Sequence, residues 1–198
     1  MISTETKLYV QLEPDQAAKV ELLSIQEKLA PHGRVVNEAS LHMTILHIGL
    51  ASRLIDSVVP HTAATTNDIL LRLALLADEL ESAILQRDFT TCTLYPSGFD
   101  FLGSHKTSYV ITFEPTLELI GLHEVCLDLL KSFLGDIGIQ DVDIFMMNDA
   151  NLRYTLKLLP HVTLARSYRG EINIPLPSTM GFMMMPTEQP GDAHYSSV

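Results

Sequence analysis

Two histidines and two threonines recur in the same short pattern, His42-Met43-Thr44-Ile45 and His161-Val162-Thr163-Leu164. Imidazole, with an ordinary pKa of ~6.5, can give or take a proton near neutral pH. A hydroxyl beside it can donate a hydrogen bond to a charged oxygen. Each pattern sits in an apolar run, Leu41 to Ile48 and Leu158 to Ala165. In an extended strand residues i and i+2 share a face. His42 should therefore stand beside Thr44, and His161 beside Thr163, with Met43, Ile45, Val162 and Leu164 packing behind. Two such strands facing across a groove would form a bifunctional acid–base site built from matched halves.

The elements upstream of each pattern also repeat. Leu8-Tyr9-Val10-Gln11-Leu12-Glu13-Pro14 is matched by Ser108-Tyr109-Val110-Ile111-Thr112-Phe113-Glu114-Pro115, one residue longer. Each proline is followed by a helix-compatible stretch and then by the His-x-Thr strand. The second copy carries extra residues before His161, expected as a loop or hairpin around Asp141 to Tyr154. Self-similarity on this scale sets architecture, and two copies imply two pseudo-symmetric lobes rather than a solenoid.

A chain of 198 residues with 46% hydrophobic content can bury a substantial core and is read as one domain of two lobes. Its 13 Lys and Arg against 24 Asp and Glu leave a formal charge of −11. Phosphate neutralisation by cationic side chains supplies most non-specific affinity for nucleic acid. Long duplexes are therefore poor partners, whereas a short nucleotide in a local pocket is not excluded. Cys92 and Cys126 show neither metal-ligand nor disulfide spacing and are read as reduced thiols. Met1 runs directly into polar residues, without the basic and apolar regions of a secretory signal. The most apolar stretch, Ile69 to Ala77, is broken by Arg72 and falls short of the ~20 residues that span a bilayer. A cytoplasmic protein with no membrane partner is expected.

Alternation and helical periodicity divide the chain further. Strands are expected at 7–12, 35–36, 41–48, 89–95, 99–102 and 109–113. Helices are expected from Asp15 to Leu29, from an Asp68 cap to Gln86, and from Thr116 to Leu134. Ser57 to Thr66 reads as loop, and 142–158 as strands flanking a turn at Asn148 to Asn151. Phe182 to Met185 suggests an edge strand, with a flexible tail over about 186–198.

Paired His-x-Thr strands in a chain of this size resemble the two-histidine (2H) phosphoesterase superfamily, which includes RNA 2′,5′-ligase-like cyclic phosphodiesterases and phage enzymes that destroy cyclic oligonucleotide signals. The resemblance rests on Leu41-His42-Met43-Thr44-Ile45-Leu46-His47-Ile48-Gly49 and on Pro160-His161-Val162-Thr163-Leu164-Ala165-Arg166. It extends through Phe89 to Leu94, Phe99 and the Tyr109 strand, covering roughly residues 7 to 170. It implies an α+β, bilobal pseudo-two-fold fold over about 7–174, with two antiparallel sheets flanking a central groove and helices outside. It also implies a monomeric, metal-independent phosphodiesterase without a cofactor, acting on a cyclic nucleotide, a cyclic oligonucleotide or a 2′,3′-cyclic phosphate. One of His42 and His161 would be the base and the other the acid, while Thr44 and Thr163 donate to the phosphate oxygens. The alternatives are a non-catalytic nucleotide-binding module and a 2′,5′ RNA ligase or RNA-end processing enzyme.

Three further residues are candidates for substrate binding. Tyr9 and Tyr109 hold matching places in the two copies and could stack on a base or bond phosphate, although core tyrosines fit the pattern equally. Arg166 suits phosphate, yet strand parity sets it with Val162 and Leu164, so that it reaches the groove only from the strand's end. His47 has the opposite parity to His42 and is expected to be structural. His32, His61, His105, His123 and His194 lack partners at telling spacings, and Met183 to Met185 reads as packing.

Overall fold

The computed structural model describes residues 2–103, 106–170, 173–185 and 188–189. Strand β1 (Lys7–Pro14) leads into helix α1 (Gln16–Leu29), where Asp15 caps the N-terminus by accepting from the Ala18 amide. A two-residue strand β2 (Arg34–Val35) precedes β3 (Met43–Leu50), which carries the first motif. Helix α2 (Ala51–Val58) follows at once, then α3 (Thr66–Gln86), β4 (Thr91–Leu94), β5 (Pro96–Leu102) and β6 (Ser108–Phe113). Helices α4 (Leu117–Asp136) and α5 (Val142–Asn148) lead to β7 (His161–Arg166) with the second motif, then β8 (Met180–Met184) and β9 (Glu188–Gln189).

All strand pairs are antiparallel, in the order β4-β8-β1-β3-β7-β6-β5, with β9 added on β1 and β2 on β7. Strands β3 and β7, which carry the two motifs, pair with each other at one residue pair, Met43 opposite Val162. The two expected sheets therefore run on as one at a narrow seam. The apolar face presents Leu8, Val10, Leu12, Met43, Ile45, Leu46, Ile111, Phe113, Val162 and Leu164 to a single core that also takes in residues of α1 to α4. The opposite face is left for chemistry.

Several expectations need correction. The segment 142–158 forms α5 and a 3-10 turn at Leu152–Tyr154 instead of strands, because Asp141 accepts from the Ile144 amide and caps a helix. Ser57 and Val58 at the start of the expected loop are instead the end of α2, whose buried Ala51, Leu54, Ile55 and Val58 follow helical spacing. The cap of α3 is Thr65, with Asp68 completing a reciprocal capping box three residues on. Strand β8 lies between β4 and β1 rather than at an edge. Within the expected tail, Glu188–Gln189 pairs with Lys7 and Leu8. The rest of 186–198 lies outside the described residues, as do His105 and His194.

Candidate active site

The seam between β3 and β7 assembles the site. Met43 and Val162 are opposite one another and fully buried, so both point into the core. Stepping one residue either way in an antiparallel pair brings His42 across from Thr163 and Thr44 across from His161. All four side chains share the other face and all are half-buried. The histidine of each motif thus faces the threonine of its partner, which is the matched-halves arrangement expected from the duplication. Beside the threonines on the outer neighbouring strands stand Gln11, paired with Thr44 and 5% exposed, and Val110, paired with Thr163 and fully buried.

A β-bulge follows each motif threonine. On β3, Gln11 pairs with Thr44 but Val10 pairs with Leu46, leaving Ile45 as the extra residue. On β7, Val110 pairs with Thr163 but Tyr109 pairs with Ala165, leaving Leu164 extra. A bulge resets which side chains face which way. His47 and Arg166, each five residues past its motif histidine, are consequently returned to the site face. The straight-strand parity that sets both aside is overturned at these positions.

The bulges are held by buried polar groups. Gln26 of α1 donates its amide to the carbonyls of Leu164 (2.8 Å) and Val36 (2.9 Å), and the Val36 amide also donates to Leu164 (3.0 Å). On the other half, Thr155 donates to the His47 carbonyl (2.7 Å), and His123 Nε2–H donates to the Thr155 carbonyl (2.8 Å). Replacing Gln26 with leucine keeps the volume and strands the Val36 carbonyl, because Leu164 retains its bond from Val36. Leaving a buried acceptor unpaired costs about 1–3 kcal/mol, and the part-buried Val36 carbonyl belongs at the low end, about 1 kcal/mol. The urea midpoint of Gln26→Leu should fall accordingly, with the slope unchanged.

The two candidate acid–base groups differ electrostatically. Burial pushes the His42 pKa below the ordinary histidine value, and the nearby charge of His161 adds to the effect. His161 Nδ1 lies 2.7 Å from the Leu159 carbonyl. A carbonyl only accepts, so Nδ1 carries the hydrogen and Nε2 is the nitrogen left for a substrate. No hydrogen bond to a described residue engages the His42 ring or either motif hydroxyl, so these groups are open to a ligand.

Tyr9 stands on the site face opposite His47, with the two rings edge-to-face at 5.0 Å. Burial raises the Tyr9 pKa against an opposing pull from Arg53, and burial followed by Arg53 lowers that of His47. Arg53, on α2, carries no signal in the sequence and lies near enough to act on both rings. Gly49 has φ +88°, and a side chain there would come within 3.1 Å of His47 Nε2, so glycine is needed to seat the ring. Tyr109 is not equivalent to Tyr9. Register equates Tyr9 with Ser108, each opposite the residue five past its motif histidine, and turns Tyr109 to the apolar face. There it is 7% exposed and stacks on Tyr168 at 4.5 Å and Phe99 at 5.7 Å, away from the groove. Arg166 is exposed, lies opposite Ser108 and, on its other side, opposite Arg34.

Among the described residues, no cluster of three His, Cys, Asp or Glu side chains could hold a metal ion, and no helix is long and apolar enough to cross a membrane. Burial pushes the thiols of Cys92 and Cys126 up to about 11 and about 12, which leaves them protonated and poorly nucleophilic.

No family model matches the chain, and no curated protein matches it. It is similar to solved structures. E. coli LigT complexed with 3′-AMP aligns at 15% identity and TM-score 0.49 over 89% of this chain and 83% of that one. TT0787 of Thermus thermophilus aligns at 15% identity and TM-score 0.47 over 93% and 84%. A structure described as a phosphoesterase aligns at 16% identity and TM-score 0.45 over 90% and 86%.

Proposed function

We propose that this chain is a two-histidine phosphodiesterase that hydrolyses a cyclic nucleotide, a cyclic oligonucleotide or a 2′,3′-cyclic phosphate without a metal cofactor. The observation that carries the proposal is the seam, where one backbone pair brings the half-buried His42 and His161 to one face of the sheet, each beside the other motif's threonine. A phosphodiester held there meets a base on one side and an acid on the other.

The lowered pKa of His42 favours its neutral form, which suits it to be the base. It takes a proton from water as the oxygen attacks phosphorus. The bond from phosphorus to the leaving ribose oxygen breaks, and His161, presenting Nε2, returns a proton to that oxygen. The hydroxyls of Thr44 and Thr163 donate to the non-bridging oxygens, where charge builds up in the transition state. A 2′,5′ RNA ligase activity would use the same groups with a ribose hydroxyl in place of water. The charge of −11 supports a small nucleotide or short oligonucleotide over long duplexes as the partner.

The direct test is turnover in EDTA of nucleoside 2′,3′-cyclic phosphates, 2′,5′-linked dinucleotides and cyclic di- and trinucleotides. Hydrolysis of one class without added metal is expected. Binding with no chemical change to any of them would leave a nucleotide-binding module instead.

A further inference from the structure

The geometry points to a second phosphate-binding subsite, made by Arg34 and Arg166 at one end of the groove. The inference rests on the phosphodiesterase reading in placing the first phosphate between the histidines, and it narrows the substrate class to nucleotides carrying a second phosphate on the same chain. Arg34 of β2 and Arg166 of β7 are direct cross-strand partners, so their side chains leave the sheet on the same face. The bulge at Leu164 makes that face the one carrying His161 and Thr163.

Like charges directly opposite in a sheet destabilise the pairing, and this chain is strongly acidic, with carboxylates in excess. Yet neither guanidinium has an ion-pair partner among the described residues. Two acids on neighbouring segments have other partners. Glu38 pairs with Lys19 at 3.6 Å, and an Asp100 oxygen accepts from the Phe101 amide at 2.7 Å. Both arginines are exposed and free to reach a ligand. Two forked guanidinium groups side by side match a phosphate, which each can bind through paired N–H donors.

The placement suits a nucleotide chain. Arg166 lies three residues beyond Thr163, roughly 7–10 Å along the strand at ~3.3 Å per residue. That is about one step between neighbouring phosphates. The opposite end is chemically different, with Tyr9 and His47 presenting rings beside Arg53. A substrate would therefore lie in one direction, with its additional phosphate towards β2.

The test compares affinities by calorimetry, in EDTA at low salt. The probes are adenosine 2′,5′-bisphosphate and adenosine 3′,5′-bisphosphate, each against the monophosphate lacking the 5′ group. The wild-type protein is expected to favour at least one bisphosphate by about tenfold, as one charge-assisted hydrogen bond to phosphate provides. Arg34→Gln should bring that ratio close to one, and Arg34→Lys should retain part of it. A wild-type ratio near one, or a ratio that survives Arg34→Gln, overturns the subsite. Arg34 is exposed and its side chain makes no hydrogen bond to a described residue, so its replacement leaves the fold intact, which a thermal melt checks. The outcome is independent of catalysis. A phosphate preference in a protein inert towards every phosphodiester refutes only the catalytic reading, whereas turnover without the preference refutes only the subsite.

Discussion

His161→Ala and His42→Ala are each expected to lower kcat/KM for the hydrolysed phosphodiester by about 10²–10⁴-fold, the usual worth of one positioned acid or base. The double variant should lose little more than the worse single one, because two groups acting in one proton-transfer sequence are not additive. The pH profile separates their roles. A base must be deprotonated to work, so activity falls as pH drops through the pKa of His42. Burial and the charge of His161 hold that pKa below the ordinary value. The acid limb should accordingly lie below pH ~6.5. In an NMR titration, His161→Gln should raise the His42 midpoint only part of the way back, since burial is the larger cause and remains. A wild-type midpoint at or above 6.5, or one that His161→Gln leaves unmoved, would reverse the assignment of base and acid.

The same residues show what could be read from the sequence and what could not. The motif pairs were legible because alternation needs only one local fact, that the segment is extended. Their facing arrangement followed from the duplication. The register beyond them was not legible, because a bulge is an extra residue in one strand and is visible only against its partner. Two bulges at matching places made His47 and Arg166 look turned away when the fold turns them in. The repeated Tyr-Val pair misled for a related reason. Matching letters suggested that Tyr9 and Tyr109 were equivalent, but the second strand is offset by one residue, which exchanges groove for core. Arg34 carried no signal of its own, since a two-residue strand has no periodicity and its neighbour is set by tertiary pairing. The α2 spacing, by contrast, was present at Ala51, Leu54, Ile55 and Val58 and needed only to be scored as helix.

Thr44→Val and Thr163→Val should each lower kcat by about 10²–10³-fold, as removal of one oxyanion donor does elsewhere. Valine keeps the branched shape and removes only the hydroxyl. If the hydroxyls act on charge that develops during reaction, kcat falls while KM stays within a few-fold. A raised KM with kcat unchanged would make them ground-state contacts instead. Serine at either place restores the donor and should recover most of the rate. The motifs are related by pseudo-symmetry, with each threonine across from the other motif's histidine, so the two losses should be of similar size. A loss confined to one variant would mean that a single hydroxyl meets the phosphate in the transition state.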